Sequence, residues 1–185
     1  GASEGFTSDG ATAILHDNNN GFWVSTFDHG VWHFDGKNFK HFSEKDGLVN
    51  NAVMSMLQGK DGNMWFGTNA GLVKLQVDGT LQTITVKDGI ASNIITCIFQ
   101  DKEKNIWFGS LLGLSKLVTK TNIHVYTMEN GLASNSVAFL HTVSKEHLLV
   151  SSEKSAQVFN THDGKFNSVP SIIDPPFYSV VANSY

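Results

Sequence analysis

Tryptophan recurs along this chain at a fixed interval. Trp23, Trp65 and Trp107 are each separated by 42 residues, and a further 42 residues leads to Leu149 in an apolar run. A fixed period of roughly 20 to 50 residues indicates that each unit is one supersecondary structure, which buries its apolar face by stacking against the next unit. The chain is therefore expected to fold as an array of four repeats rather than as one irregular domain.

Other residues keep the same interval. A glycine followed by an aliphatic residue recurs at Gly47-Leu48, Gly89-Ile90 and Gly131-Leu132, again 42 residues apart. An asparagine follows each pair, at Asn51, Asn93 and Asn135. We expect these asparagines to brace the loops between repeats, because their side chains can bond backbone groups that would otherwise lack partners.

Each unit reads as a run of short strands and turns. The second unit predicts strands at Val53–Gln58, Met64–Thr68, Leu72–Leu75 and Leu81–Val86, separated by turns rich in Gly, Asp and Asn. Four antiparallel strands per repeat make the blade of a β-propeller. The predicted fold is therefore all-β, with four four-stranded antiparallel blades that form a fragment of a larger propeller.

The register of the repeat predicts where each blade begins and ends. We expect an inter-blade loop, four blades of which the last is divergent, and the start of a further blade, all within one propeller fragment. In that order, these segments are residues 1–10, 11–52, 53–94, 95–136, 137–178 and 179–185.

The second strand of each blade is apolar on both faces, since successive side chains of a strand point in opposite directions. Such a strand is expected where one blade is sandwiched between two others. We assign a structural role in this packing to the tryptophans, to the glycines two positions after them, and to the glycines that open the third strand. These residues are Trp23, Trp65, Trp107, Gly67, Gly109, Gly71 and Gly113.

Two stretches of the sequence carry a resemblance to a known family. Gln100–Ser110, with Gly113-Leu114 after it, and Asn130–Val137 resemble the two-component regulator propeller repeat. The second and third units fit this repeat best. The first unit has an additional residue within Asp28–His33, and the fourth lacks the tryptophan and the Gly-Leu pair.

This resemblance implies a sensor. Such repeats typically form long extracytoplasmic regions of two seven-bladed propellers, followed by a β-sandwich, a membrane helix and a signalling output. In Bacteroidetes the output is often a histidine kinase, and the ligand is often an oligosaccharide released from a complex glycan. By resemblance, we expect this fragment to be the periplasmic or otherwise extracytoplasmic sensing segment of a two-component system, without enzymatic activity of its own.

Charge and hydropathy narrow the set of partners. The net charge is −4 and the lysines are scattered singly, which predicts no nucleic-acid partner. No apolar stretch approaches the roughly 20 residues of a membrane helix, so we expect membrane attachment only through segments outside this chain. The sequence lacks phosphate-binding, nucleophile-elbow and metal-binding motifs, which predicts no cofactor and no metal site.

The richest candidate ligand site lies around the loop that joins the second and third strands of blade 1. Its members combine aromatic rings with polar groups, as sugar binding requires, on the rim of the central channel. They are Phe27, Asp28, His29, Trp32 and His33, together with Asn69 from the same loop of blade 2. The structural alternative is a blade edge packed by Trp32, with the two histidines facing solvent.

Two kinds of residue have simpler structural interpretations. Asp17, Asp61 and Asp101 lie in predicted hairpin turns, where Asp stabilises the local backbone, and we favour this role over calcium binding. Cys97 lies in an apolar run and is expected to be a buried core thiol.

Two other functions compete with sensing. The lyase that opens streptogramin antibiotics is a propeller with similar repeats, and such an enzyme would need Asp28, His29 and His33 as its base and proton donors. A purely structural propeller would act through protein surfaces alone. Whatever its function, a fragment with open blade edges is expected to self-associate.

Overall fold

A computed structural model describes residues 10–119, 122–153 and 155–169 of the chain. The strands are β1 (Ala11–His16), β2 (Phe22–Thr26), β3 (Val31–Phe34), β4 (Phe39–Phe42), β5 (Val53–Gln58), β6 (Met64–Thr68), β7 (Gly71–Leu75), β8 (Leu81–Ile84), β9 (Ile95–Gln100), β10 (Ile106–Ser110), β11 (Gly113–Thr119), β12 (Asn122–Tyr126), β13 (Phe139–Thr142), β14 (His147–Ser151), β15 (Ala156–Asn160) and β16 (Phe166–Ser168). Short 3-10 turns lie at Glu44–Asp46, Val86–Asp88 and Met128–Asn130. Residues 1–9 of the predicted first loop, the predicted end of blade 4 at 170–178 and the predicted further blade at 179–185 lie outside the described residues.

The strands form four sheets in chain order. Each sheet contains four strands paired antiparallel with their sequence neighbours: β1 to β4, β5 to β8, β9 to β12, and β13 to β16. We call these sheets blades 1 to 4. This topology confirms the prediction of an all-β fold with four four-stranded antiparallel blades.

The fourth strand of blade 2 ends earlier than the sequence predicted. β8 stops at Ile84, whereas the apolar pattern predicted a strand to Val86. Thr85 instead caps a 3-10 turn, because the Asp88 carboxylate accepts hydrogen bonds from its N–H at 2.8 Å and its hydroxyl at 3.1 Å. This capping box satisfies the backbone locally and so removes it from the sheet.

The apolar core lies between the blades. Every residue of β6 and of β10 is buried. On one face of β6, Phe66 packs against Trp23 of blade 1, with 5.7 Å between the ring centroids. On the opposite face, Trp65 packs with Ile95 and Phe108 of blade 3. Each blade therefore has a leading face toward the preceding blade and a trailing face toward the next.

Loops gather at the two ends of the blades. The first strands of successive blades contact one another, which places β1, β5, β9 and β13 nearest the propeller axis. Because neighbouring strands run in opposite directions, the loop between the second and third strands lies at the same end as the loop between blades. The Gly30 N–H accordingly donates to the Asn51 carbonyl at 2.9 Å, and the Asn69 N–H donates to the Ala52 carbonyl at 3.1 Å. We call this end the upper rim and the opposite end the lower rim.

Gly109 lies where blade 3 meets blade 4. A Cβ atom at this position would lie 2.6 Å from Val137 Cγ1 and 2.6 Å from Cys97 Sγ. Gly67 occupies the matching position of blade 2, where a Cβ would lie 2.8 Å from Ile95 Cγ2. These separations are shorter than carbon side chains tolerate, so the blades approach this closely only across glycine.

The glycines that open β7 and β11 face a different constraint. Gly71 and Gly113 have φ angles of 148° and 150°, which side-chain-bearing residues rarely adopt. A Cβ atom would lie 2.9 Å from the Ile84 carbonyl oxygen at Gly71, and 2.7 Å from the Tyr126 carbonyl oxygen at Gly113. Glycine therefore lets the fourth strand pass close to the start of the third.

We expect Gly109→Ala to lower the free energy of unfolding by about 1–3 kcal/mol, because the added methyl group forces blades 3 and 4 apart. Gly10→Ala is the matched control, since no atom of the described residues lies within 4 Å of a Cβ at that position. Urea unfolding of both variants measures the difference. Combining Val137→Ala with Gly109→Ala is expected to recover part of the loss, and an absence of recovery would contradict this account.

The Cys97 thiol predicts an alkaline effect on stability. Cys97 is partly buried against the core between blades 3 and 4, and burial raises its pKa from the ordinary value of 9.0 to about 11. Between these two values the unfolded chain loses the thiol proton while the folded chain keeps it, so stability falls as pH rises.

We expect this group to cost about 1.4 kcal/mol of stability between pH 8 and pH 10. Cys97→Ala lacks the titrating thiol, so its stability should fall less over the same range. Urea unfolding of both proteins at the two pH values checks this, and an equal fall in both would show that the thiol contributes nothing.

Candidate functional site

The inter-blade loops of the upper rim share one rigid design. In the loop after blade 2, the Asn93 side-chain oxygen accepts a hydrogen bond from the Val86 N–H at 2.9 Å, at the start of the 3-10 turn. Gly89 ends the turn with a φ of 102°, and Ile90 then inserts into the core. Asn51 and Asn135 bond the matching positions at 2.9 and 2.7 Å. The predicted bracing role of the three asparagines is confirmed.

Apolar side chains project from this braced rim into solvent. Phe27 is 57% exposed on blade 1, and Leu111 and Leu112 are 41% and 56% exposed in the same loop of blade 3. Beside Phe27, the Asp28 carboxylate lies 2.7 Å from His29 Nδ1, and both side chains are about half exposed. The upper rim therefore presents apolar surface next to polar groups, as ligand-binding surfaces do.

The structure places four of the six predicted ligand residues on the upper rim. Phe27, Asp28, His29 and Asn69 lie in its loops. Trp32 lies below them on the leading face of blade 1, where its ring stacks on His41 at 4.1 Å. His41 Nε2 lies 2.5 Å from the His29 carbonyl oxygen, so the Trp32 stack supports the loop from beneath.

His33 does not join this group. It pairs with Trp23 across β2 and β3, so its side chain lies on the trailing face, opposite Trp32. Its Nε2 atom lies 2.7 Å from Asp17 Oδ2 at the lower rim. The structure therefore splits the predicted cluster between two faces and two ends of the blade.

Asp17 lies in a hairpin turn at the lower rim of blade 1, as the sequence predicted, and its carboxylate is buried. Asp17 is 3% exposed. Its Oδ1 atom accepts hydrogen bonds from the Asn19 and Gly21 N–H groups at 2.8 Å, and Oδ2 accepts one from Trp23 Nε1 at 3.2 Å. Burial acts to raise the Asp17 pKa, but the bonds from Gly21, His33 and Asn19 outweigh it and hold this pKa below its usual value.

The same arrangement recurs in blade 3 and is broken in blade 2. Asp101 is 3% exposed and accepts hydrogen bonds from Trp107 Nε1 at 2.8 Å and Asn105 Nδ2 at 2.7 Å. The intervening position, 42 residues from each acid, is Gly59. Within the described residues, the buried Nε1 of Trp65 consequently lacks a hydrogen-bond partner. Asp17 and Asp101 therefore fix the tryptophans, and they differ in role from the exposed Asp61.

A basic side chain covers the tryptophan ring in each of these three blades. His33 stacks on Trp23 with 4.2 Å between ring centroids. Lys74 Nζ lies 5.1 Å from the Trp65 ring centre, and Lys116 Nζ lies 5.0 Å from that of Trp107. The two lysine distances fit cation–π contacts, whereas His33 makes a ring stack, so the side chain across from the tryptophan covers the indole ring in all three blades.

The described residues show no group of three or more His, Cys, Asp or Glu side chains arranged to hold a metal ion. They also include no helix with the length and apolar character needed to cross a membrane.

We expect Asp101→Ala to destabilise the chain by about 2 kcal/mol, because it leaves the buried donor of Trp107 and the partly buried donor of Asn105 without their acceptor. Asp61→Ala removes an acid that is about half exposed in the matching turn of blade 2, so it should cost less than about 0.5 kcal/mol. Urea unfolding compares the two variants. Equal losses would contradict the distinct role of the buried acid.

Comparison with known proteins connects this geometry to a family. The model of the two-component regulator propeller family matches residues 47–70 and 89–111, which span the upper-rim loops and second strands of blades 2 and 3. A search of curated proteins found no significant match.

Solved structures share the fold at low sequence identity. The extracellular domain of a hybrid two-component system from B. thetaiotaomicron is similar over 86% of this chain and 23% of its own, with a TM-score of 0.77 and 21% identity. Virginiamycin B lyase from Staphylococcus aureus is similar over 88% of this chain and 57% of its own, with a TM-score of 0.73 and 14% identity. PorZ, a surface component of the type IX secretion system of Porphyromonas gingivalis, is similar over 82% of this chain and 26% of its own, with a TM-score of 0.63 and 16% identity.

These identities establish the β-propeller fold and nothing finer. The chain spans about a quarter of the length of the B. thetaiotaomicron domain that it matches. Residues 47–70 and 89–111 match the repeat of the two-component regulator propeller family, and the four sheets give the chain the fold of a β-propeller segment.

Proposed function

We propose that this chain is a ligand-sensing propeller segment of a two-component sensor, located outside the cytoplasm in the periplasm, and that its ligand is an oligosaccharide. The observation that carries the proposal is the match of residues 47–70 and 89–111 to the two-component regulator propeller repeat. The fold shared with the extracellular domain of a hybrid two-component system is in keeping with it.

The upper rim supplies the chemistry for a sugar ligand. Phe27 offers an exposed ring, and sugars bind by placing their apolar C–H faces on aromatic rings. The neighbouring Asp28 and His29 pair and the exposed Asn69 offer donors and acceptors for hydroxyl groups. Because the Gly30 N–H of this loop donates to the Asn51 carbonyl and the Trp32 stack lies beneath it, little conformational entropy would be lost on binding.

An enzymatic function of the streptogramin-lyase kind has weaker support. It would need Asp28, His29 and His33 to act on one substrate atom, and catalytic groups must lie within hydrogen-bond reach of the atoms they serve. His29 lies on the upper rim and His33 points toward Asp17 on the lower rim. The described residues therefore do not assemble this trio.

A thermal-shift screen of the chain against neutral and acidic oligosaccharides tests the proposal. We expect one class of oligosaccharide to raise the melting temperature, because a ligand that binds only the folded state stabilises it by mass action. Phe27→Ala should weaken binding of that oligosaccharide about tenfold or more, since it removes the exposed ring.

Val77→Ala is the matched control, because Val77 is 77% exposed in the lower-rim loop between β7 and β8. This variant should bind as the unaltered chain does. No shift with any oligosaccharide, or equal weakening by the two substitutions, would count against sensing at the upper rim and favour a propeller that acts through protein surfaces.

A further inference from the structure

A second, separate surface feature lies at the outer side of the boundary between blades 3 and 4. It is a groove of about 770 Å³, within the range of roughly 300–1,000 Å³ that small-molecule sites occupy. Its polar and aromatic lining comes from β11, β12 and the loop between β15 and β16. The residues that matter for its chemistry are Lys116, His124, Tyr126, Thr161, His162 and Asp163.

We propose that this groove binds a sugar that carries a carboxylate group. The site is distinct from the upper rim and does not depend on the function proposed for that rim.

The lining has an excess of basic groups. Lys116 and His124 are directly paired across β11 and β12, so both side chains lie on the trailing face of blade 3. His162 lies opposite, in the turn of blade 4, where its N–H donates to Asn160 Oδ1 at 2.8 Å. The acid in the lining, Asp163, already accepts a hydrogen bond from the Lys165 N–H at 3.0 Å. The groove is thus lined by three basic side chains and by one acidic side chain, which is already hydrogen-bonded within its own turn.

Lys116 differs from its counterpart in blade 2 in its ionic partner. Lys74, in the same position of blade 2, has the Asp61 carboxylate 3.8 Å from its ammonium group. Among the described residues, Lys116 has no carboxylate within the 4.0 Å of an ion pair. Its ammonium lies over the Trp107 ring instead, which holds it at the groove. A bound carboxylate would supply the missing partner through a charge-assisted hydrogen bond.

Tyr126 adds a hydroxyl where blades 1 and 2 have apolar residues. The matching residues of blades 1 and 2 are Phe42 and Ile84, which are 6% and 4% exposed. Tyr126 is half-buried, and its ring is held by Phe159 at 4.8 Å and Trp107 at 6.1 Å. Burial raises the pKa of its phenol, which therefore stays neutral and can both donate and accept.

These neutral groups favour a sugar acid over a bare inorganic anion. Tyr126 and Thr161 can pair with sugar hydroxyls, while Lys116, His124 and His162 face the carboxylate. An inorganic anion would use the charges and leave most of the groove empty.

The histidine side chains report on this site directly. We would titrate the isotope-labelled chain with D-glucuronate and follow the imidazole resonances by NMR, using D-glucose as the neutral match. We expect glucuronate to shift His124 and His162 while His16 and His41, on the leading face of blade 1, stay fixed. Glucose should shift none of them.

Charge variants complete the test. Lys116→Met should weaken glucuronate binding about tenfold, because one charge-assisted bond is lost. Lys74→Met, the matched change in blade 2, should leave binding unchanged. Absence of shifts, uniform shifts of all histidines, or equal shifts with glucose would overturn the proposal, and so would equal affinity for inorganic sulfate. Phe27→Ala should also leave glucuronate binding intact, which separates failure here from failure of the upper-rim proposal.

Discussion

The whole structure depends on the second strands of blades 2 and 3 being buried on both faces. Trp107 and Phe108 are neighbours in sequence, point to opposite faces, and are both 0% exposed. Burial of such side chains contributes about 1.5–3 kcal/mol each, and half of it is lost when either adjacent blade is absent. A blade is therefore stable only within the array, and stability passes between nearest neighbours. This stack is also what holds the rim loops at fixed positions.

The same packing also buries the indole N–H group of each tryptophan, which then needs a hydrogen-bond acceptor. In blades 1 and 3, Asp17 and Asp101 accept this hydrogen bond. Their carboxylates also accept hydrogen bonds from other backbone or side-chain donors. Blade 2 has Gly59 in place of the acid and leaves the Trp65 N–H unpaired within the described residues. An unmet buried donor costs about 1–3 kcal/mol, so the blades are not energetically equivalent. The blades therefore resemble one another more closely in strand packing than in their buried hydrogen bonds.

The repeat interval and the alternation of apolar residues were enough to predict the blades, because both follow from local strand geometry. The roles of individual polar residues were harder to predict. Asp17 and Asp61 both look like ordinary turn acids in the sequence. The difference is their position in the repeat: Asp17 is equivalent to Gly59 and Asp101, and Asp61 is not. Successive side chains of a strand point to opposite faces, so the sequence alone could have predicted that Trp32 and His33 point apart. The groove was beyond sequence reasoning, because Lys116 and His162 meet only through the docking of two blades.

The two proposed sites would communicate with the rest of the molecule differently. A ligand shifts a conformational equilibrium only when it binds two arrangements with different affinity. The upper-rim residues Phe27 and Asp28 belong to a single loop of blade 1. The groove is lined by both blade 3 and blade 4, whose spacing is limited by the contact of Gly109 with Val137. A ligand held between Lys116 and His162 would therefore be sensitive to blade spacing, which makes the groove the better place to couple binding to a change in the array.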